Sequence, residues 1–252
     1  MKLINKYKTK IKTELLKLSN QFKEIKPVLK EYKINNINIK SYDYNSSTAI
    51  DSVCKELKKD CYNIEHIPFE DNDIVMDIGA HVGVFSIYLA KKFPFIKIYS
   101  YEPIPENYEN LAKNIEINNV KNITIFNKAI TGDRRTLDMS MHFINTGGAT
   151  AQLKNIKLPE HSYYNVESLT LDDIFETQNI KKCKLLKIDC EGSEYEILFN
   201  SKELRNIEYL SGEFHINEYL KNKDYSIEKL YEYCKKYIKP KNITYTCCYM
   251  AE

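Results

Sequence analysis

The stretch that decides the fold runs from residue 75 to residue 90 and reads VMDIGAHVGVFSIYLA. A short apolar run carries Asp77 near its end, Gly79 and Gly83 follow, and an apolar stretch of helical length begins at Val84. A strand, a glycine-bearing turn and a helix in this order let a ligand approach the backbone at the helix N-terminus. The pattern therefore predicts a ligand site at the end of a buried strand.

From residue 73 onward, short apolar runs alternate with amphipathic stretches, which is typical of βαβ units in a doubly wound, mostly parallel sheet. The predicted strands are 73–80, 96–103, 123–130, 183–192, 207–214 and 243–250, and the predicted helices are 84–93, 105–118 and 227–237. Residues 131–170 break this rhythm and predict a hairpin-like insertion. Either the sheet has six strands, or the insertion supplies further pairing.

The segment NTGGAT (145–150) lies inside the insertion. Its small residues and paired glycines leave two interpretations open. The segment is either a loop that closes over a bound ligand or a plain hairpin turn.

The first 33 residues concentrate positive charge, with ten Lys and three Glu. Ile4, Ile11, Leu18 and Ile25 recur every seven residues, which predicts one long helix that ends near Pro27 or continues with a kink. Such a helix would lie on the rest of the chain or on a second subunit of a homodimer; a peripheral membrane or anionic-polymer contact is the alternative. We predict a helical appendage over 1–70, with a short helix at 48–58, and a catalytic domain over 71–252.

Composition excludes several classes of protein. With 43% hydrophobic and 29% charged residues in 252, the chain is neither disordered nor of low complexity, and a net charge of +2 is too small to indicate nucleic-acid binding. No apolar run reaches the roughly 20 residues that span a bilayer. The seven cysteines form no CxxC pair, which favours reduced thiols. These features predict a cytoplasmic protein.

A second motif sharpens the ligand prediction. Glu102, in YEP (101–103), ends the next predicted strand 23 residues after Gly79, where a carboxylate can accept both hydroxyl hydrogens of a ribose. A dinucleotide needs a place for its pyrophosphate, but the turn lacks a third glycine and Asp77 is acidic. S-adenosylmethionine carries an ammonium and a sulfonium group, so a carboxylate there is favourable. This cofactor is therefore preferred to NAD.

Ionisable side chains follow the last two long strands of the predicted sheet. Asp189 and Glu191 lie two apart in KIDCEG (187–192), and Glu213 and His215 lie two apart in GEFH (212–215). Side chains two apart on an extended strand share a face, and ligands collect beyond the carboxyl ends of such strands. We predict that one of the four is a base that removes a hydroxyl proton. A divalent metal, Mg²⁺ or Mn²⁺, held by some of them is a further hypothesis.

Six segments in order resemble the FkbM family of S-adenosylmethionine-dependent methyltransferases over about residues 73–215: VMDIGAHVGVFSIYLA, YEPIPENYENLAKNIEINN, NKAITGD, SLTLDDI, LLKIDCEGSEYEIL and GEFH. The resemblance implies the class I methyltransferase fold, a cofactor site at DIGAHVG and YEP, and O-methylation of a sugar or secondary-metabolite hydroxyl. The residues that it assigns to the cofactor are Asp77, Gly79, Ala80, His81, Gly83, Glu102, Pro103, Asn127, Ala129 and Asp189. His81 is either a cofactor contact or a capping residue, and Asn107 and Asn114 are interpreted as helix-surface or capping residues.

The expected reaction is methyl transfer to a hydroxyl of a glycan, a glycolipid or a small metabolite, without a nucleic-acid partner. An N-methyltransferase is less favoured, because the fourth predicted strand is not followed by an Asn/Asp-Pro-Pro-aromatic motif. An NAD-dependent oxidoreductase is disfavoured by Asp77 and the glycine spacing. A cofactor-binding or membrane-associated scaffold without catalysis is the alternative outside enzymes.

Overall fold

The computed structural model describes residues 26–44, 47–142, 145–150 and 161–249. The strands are β1 (Pro27–Ile34), β2 (Ile37–Tyr44), β3 (Ile74–Ile78), β4 (Lys97–Tyr101), β5 (Ile123–Phe126), β6 (Ala129–Ile130), β7 (Leu137–His142), β8 (Asn145–Thr150), β9 (His161–Val166), β10 (Ser168–Leu169), β11 (Cys183–Ile188), β12 (Ile207–Ile216) and β13 (Ile243–Tyr249). The α-helices are α1 (Ala49–Lys58), α2 (Val84–Lys92), α3 (Pro105–Ile117), α4 (Leu171–Thr177), α5 (Glu194–Asn200), α6 (Glu218–Asn222) and α7 (Ile227–Cys234).

Six strands form the central sheet in the order β13-β12-β11-β3-β4-β5, and every neighbouring pair is parallel. This confirms the doubly wound α/β class and the six-stranded alternative. The chain order reverses between β3 and β11, and ligands of such sheets bind at that point, beyond the carboxyl ends of the strands. The insertion forms a separate antiparallel sheet in the order β8-β7-β9. The hairpin-like prediction for this region is thereby confirmed.

The central sheet is covered on both faces, as the apolar runs predict. Along β3, Val75 belongs to one hydrophobic cluster, whereas its neighbour Met76 belongs to the other. Leu185 and Leu186 divide between the same two clusters along β11. Because neighbouring side chains of a strand point to opposite faces, continuous apolar strands require a layer on each side. Helices α1 and α2 cover one face, and α4, α5 and α7 cover the other.

The N-terminal prediction is partly wrong. Residues 1–25, which carry most of the predicted basic helix, lie outside the described residues. The helix does not continue past Pro27, because β1 and β2 pair as an antiparallel hairpin. Exposure alternates along β2, where Asn38 and Lys40 are exposed and Ile39 and Ser41 are buried, which is strand rather than helix periodicity. The division at residue 70 stays a prediction, while one hydrophobic cluster joins Ile34 and Ile39 to Phe85 of α2.

Asn114 ties this hairpin to the glycine turn. Its fully buried amide accepts a hydrogen bond from the backbone N–H of Tyr42 at 2.6 Å and donates to the Val82 carbonyl at 2.8 Å and to Ser41 Oγ at 2.9 Å. The interpretation of Asn114 as a helix-surface or capping residue is therefore wrong. Its partners lie about 30 and 70 residues away in sequence, so no local pattern indicates them.

We expect Asn114→Leu to lower the free energy of unfolding by about 3 kcal/mol, because buried backbone groups left without partners cost about 1–3 kcal/mol each. Urea denaturation measures the loss. Lys113→Ala, a change at the exposed neighbouring position, should stay within about 0.5 kcal/mol of the parent chain. Equal stability of the two variants would contradict this role for Asn114.

Within the described residues, no helix combines the length and the apolar character needed to cross a membrane.

Candidate active site

A cavity of about 410 Å³ opens at the carboxyl ends of β3, β4, β11 and β12. Its size lies in the range of roughly 300–1,000 Å³ that is typical of small-molecule sites. The glycine turn and the strand ends form one wall, α1 forms another, and the insertion contributes Met139 and Gly147. The predicted appendage therefore supplies part of the site, through residues such as Glu56 and Tyr62.

The glycine turn is held against two strands. The backbone N–H groups of Gly79 and Ala80 both donate to the Tyr101 carbonyl, each at 3.0 Å. Gly79 has a positive φ of 81°, and a Cβ on it would lie 1.9 Å from the Asp189 carbonyl oxygen. Gly79, Ala80 and His81 line the cavity, whereas Gly83 packs against Leu111 instead.

Glu102 lies on the cavity wall beside this turn. Its carboxylate accepts hydrogen bonds from the backbone N–H groups of His81 at 2.8 Å and Ile104 at 2.9 Å. Burial raises the pKa of Glu102 to about 7, although these hydrogen bonds oppose the rise. Pro103 also lines the cavity. The residue on which the ribose prediction depends thus faces the predicted ligand space.

Two asparagines support the loop that carries Glu102. Asn127 donates to the carbonyls of Glu102 at 2.9 Å and Pro103 at 3.0 Å, and it does not line the cavity, whereas Ala129 does. Asn107 is buried against the cavity and donates to the Thr146 carbonyl at 3.0 Å. The interpretation of Asn107 as a helix-surface or capping residue is therefore wrong.

The segment predicted as a loop or hairpin turn over 145–150 is strand β8, and it reaches the cavity. Thr146 Oγ1 lies 2.7 Å from Nε2 of His81 and donates to Asp43 at 3.1 Å. Its neighbour Gly147 lines the cavity. The insertion, the N-terminal hairpin and the glycine turn therefore meet at one threonine.

Asp77 is fully buried beneath the turn and does not line the cavity. Ser86 Oγ donates to its carboxylate at 2.6 Å, and Lys187 Nζ lies 3.2 Å from its other oxygen. Lys187, which sequence reasoning missed, also donates to the Gly79 carbonyl at 2.9 Å and lines the cavity. Burial lowers the pKa of Lys187, but the charges of Asp77 and Asp189 outweigh burial and raise it. The contact of Asp77 with a cofactor stays a prediction, and its charge is already balanced by this lysine.

The four residues predicted as candidate bases lie together around the imidazole of His215. They do so for a different structural reason than the predicted shared strand face. Strand β11 ends at Ile188, and Glu191 has a positive φ of 51°, so Asp189 and Glu191 do not share an extended strand face. The turn instead curls Glu191 back toward β12. His215 Nε2 lies 3.6 Å from Glu191 Oε2 and 4.0 Å from Asp189 Oδ1.

Glu194 was missed by sequence reasoning although it organises this cluster. It is fully buried, and its Oε1 lies 3.0 Å from Nδ1 of His215. The same carboxylate accepts backbone hydrogen bonds from Cys190 at 2.8 Å and Gly192 at 3.0 Å. A glutamate in the first turn of a short helix reads as an ordinary helix residue, so only the fold reveals its partners.

The charges of this cluster perturb one another. Burial raises the pKa of Glu191 to about 7, and burial with the charge of Asp189 raises that of Glu213. Burial lowers the pKa of His215, but Glu194, Glu191 and Asp189 together raise it to about 9. A protonated imidazole cannot accept a proton, so among the four predicted bases the carboxylates fit the role better. Two groups bring potential metal-ligand atoms within 4.8 Å of one another: Asp189, Glu191 and His215, and Glu213, His215 and Cys248.

Comparison with known proteins gives one family match and several distant relatives. Methyltransferase sdnD of Sordaria araneosa is 28% identical over 63% of this chain and 71% of its own length. Methyltransferase 1 of Beauveria bassiana is 26% identical over 59% and 66%, and the 31-O-demethyl-FK506 methyltransferase FkbM of Streptomyces tacrolimicus is 24% identical over 55% and 63%. The chain therefore spans about two thirds of the length of these relatives.

Among solved structures, the chain is similar to a precorrin-6y C5,15-methyltransferase from Geobacter metallireducens. The two are 13% identical, the similarity covers 61% of this chain and 57% of that chain, and the TM-score is 0.37.

The sequence-family model of the methyltransferase FkbM domain matches residues 77–235, which is more than half of the chain. The match includes the glycine turn, Glu102, and the cluster around His215. The chain belongs to the FkbM methyltransferase domain family.

Proposed function

We propose that this chain transfers a methyl group from S-adenosylmethionine to a hydroxyl of a small-molecule or glycan acceptor. The observation that carries the proposal is the position of Glu102, which lines the same cavity as the glycine turn and the acidic cluster. A cavity lined by Glu102, Asp189, Glu191 and Glu213 suits a cofactor with an ammonium and a sulfonium group, because opposite charges attract.

Residues that line the cavity fit the methionine portion, the ribose and the adenine of this cofactor in turn. The turn at Gly79 and Ala80 would hold the methionine portion, Glu102 would accept the ribose hydroxyls, and Ala129 would lie against the adenine. When bound, the cofactor supplies an electrophilic methyl group on its sulfonium. The rest of the reaction falls to the chain, which must orient an acceptor hydroxyl and take its proton.

The acidic cluster is the source of the base. Asp189, Glu191 and Glu213 all line the cavity, and a base acts best when its pKa lies near the working pH. Glu213, whose pKa is raised by burial and by the charge of Asp189, moves toward this condition. The name of the Streptomyces relative, 31-O-demethyl-FK506 methyltransferase, describes methylation at an oxygen, which supports a hydroxyl acceptor over an amine here.

The test is calorimetric titration of the purified chain with S-adenosylhomocysteine, with NAD as the comparison ligand. NAD is the right comparison, because the all-parallel order of the sheet is also that of dinucleotide-binding proteins, and Lys187 lines the cavity. Micromolar binding of S-adenosylhomocysteine without binding of NAD is the expected result. The reverse would overturn the proposal, and binding of neither would favour the scaffold alternative.

A further inference from the structure

The space between Nε2 of His215 and the carboxylates nearest to it is too wide for direct hydrogen bonds. His215 is 2% exposed, and its Nε2 makes no hydrogen bond with any residue that the structure describes. The two nearest carboxylate oxygens, of Glu191 and Asp189, are 3.6 and 4.0 Å away. A hydrogen bond from a protonated nitrogen would be about 2.7–3.2 Å long, so both oxygens lie beyond hydrogen-bond distance of Nε2.

The spacing suits a shared ion better. Two ligand atoms that each lie about 2.1 Å from one metal ion are roughly 3–3.5 Å apart, which is close to the distances around Nε2. The three potential ligand atoms of Asp189, Glu191 and His215 all lie within 4.8 Å of one another. They come from the ends of two neighbouring parallel strands, β11 and β12, which fix their relative positions.

The contact between Glu194 and His215 is a separate observation that favours a metal at Nε2. A metal-ligating histidine usually gives its other ring N–H to a carboxylate, which fixes the tautomer and the orientation of the ring. Nδ1 of His215 lies 3.0 Å from Glu194, and Glu194 is itself held by two backbone N–H groups. This arrangement directs Nε2 of a buried imidazole toward the space between it and the carboxylates.

We propose that Asp189, Glu191 and His215 bind one divalent transition-metal ion, with Glu194 as the positioning residue. One imidazole and two carboxylates form a donor set that suits Mn²⁺, Fe²⁺ or Zn²⁺. Asp189 and Glu191 line the cavity, so the ion would lie where the acceptor is expected. Any role in lowering the pKa of the acceptor hydroxyl rests on the proposed function, whereas binding of the ion does not. The hypothesis from the sequence left the metal ligands open among four residues. This proposal selects three of them and leaves out Glu213.

The experiment is titration of the chelator-treated full chain with Mn²⁺, followed by electron paramagnetic resonance, and with Zn²⁺ in a calorimeter, both at pH 8. We expect one ion per chain. Asp189→Asn and His215→Ala should each weaken binding by about 100-fold or more, and Glu194→Gln by about 10–100-fold. Glu109→Gln removes an exposed carboxylate of α3, outside the cavity, and should leave the metal affinity unchanged.

The outcomes separate this proposal from the proposed function. Every variant is also titrated with S-adenosylhomocysteine, which reports on the cofactor site, and its folding is checked separately by thermal unfolding. Failure of both metals to bind up to about 1 mM by a chain that binds S-adenosylhomocysteine would overturn the metal site alone. Unchanged metal affinity in His215→Ala would also overturn it. Loss of binding in Glu213→Gln but not in Asp189→Asn would assign the ion to the group with Cys248 and contradict the proposal.

Discussion

Replacing Glu102 by glutamine should weaken the binding of S-adenosylhomocysteine by about 100-fold or more. Hydrogen bonds to a charged group contribute about 1.5–3 kcal/mol each, and the proposed function gives Glu102 both ribose hydroxyls. About 3 kcal/mol in total corresponds to a factor of about 100 in affinity. Calorimetric titration measures the change. The matched control is Glu109→Gln, which removes an exposed carboxylate from α3 and should bind like the parent chain.

The pH dependence of the parent chain gives a second readout of the same residue. Glu102 has a pKa of about 7, raised by burial, so acid converts it to a neutral carboxyl. We expect the affinity for S-adenosylhomocysteine to fall as the pH drops through 7, and Glu102→Gln to lose this dependence.

The stability of the free chain should respond to pH in the opposite direction. A pKa that is raised in the folded state favours the protonated form, so this contribution is fully present below the unfolded pKa of about 4.5 and is lost as the pH rises through about 7. Glutamine at position 102 should remove that part of the pH dependence of unfolding. Parent-like affinity in Glu102→Gln would show that Glu102 does not hold the ribose.

Local sequence patterns were sufficient for the parts of the fold that depend on neighbours in the chain. The apolar run of β3, the glycines after it and the helix of α2 lie within about 20 residues, and the structure has them close to the predicted bounds. Glu102 was found in the same way, because its spacing from Gly79 follows from the length of one helix and one strand. Patterns of period 2 and 3.6 are sufficient where the partner is the next element.

The residues that sequence reasoning missed are buried polar groups whose partners are remote. Lys187 stands within the apolar run of β11, and its partner Asp77 lies on β3. Glu194 of α5 pairs with His215 of β12, 21 residues away. Such groups are tolerated in a core only when they are paired, but the sequence does not state with what. Lys187 was nevertheless a signal, because an unpaired charge between buried apolar residues of β11 would be very costly.

The prediction of the acidic cluster around His215 was limited in the same way. Its members were identified correctly, but the orientation of Glu191 was not. Gathering Asp189 and Glu191 with Glu213 and His215 required only that β11 and β12 be neighbours, and they are. The orientation of Glu191 depends on its left-handed backbone and on Gly192, which also has a positive φ of 102°. An extended strand was the simplest assumption, and it was wrong, because β11 ends at Ile188 and Glu191 has a left-handed backbone.

Gly79→Ala should have the largest effect on folding. A side chain at Gly79 would place its Cβ 1.9 Å from the Asp189 carbonyl oxygen, and the backbone there has a φ of 81°. The left-handed conformation costs a non-glycine residue about 1–2 kcal/mol, and a backbone atom in the way cannot rotate aside. We expect a total loss of about 4 kcal/mol or more, which lowers the melting temperature by roughly 8–16 °C for a chain of this size.

Gly83→Ala is the matched control. It has the same penalty for a left-handed backbone, but its Cβ would meet a side chain and not a backbone atom. Gly83 has a φ of 89°, and the atom that its Cβ would meet, at 2.2 Å, is the end of the Leu111 side chain. That methyl group can move, so we expect a smaller loss, of about 2 kcal/mol. Thermal unfolding of the two variants measures the difference, which isolates the contact between the turn and β11. Since Asp189 follows β11 directly, Gly79→Ala should also displace the acidic cluster, and a variant of equal stability to Gly83→Ala would refute that coupling.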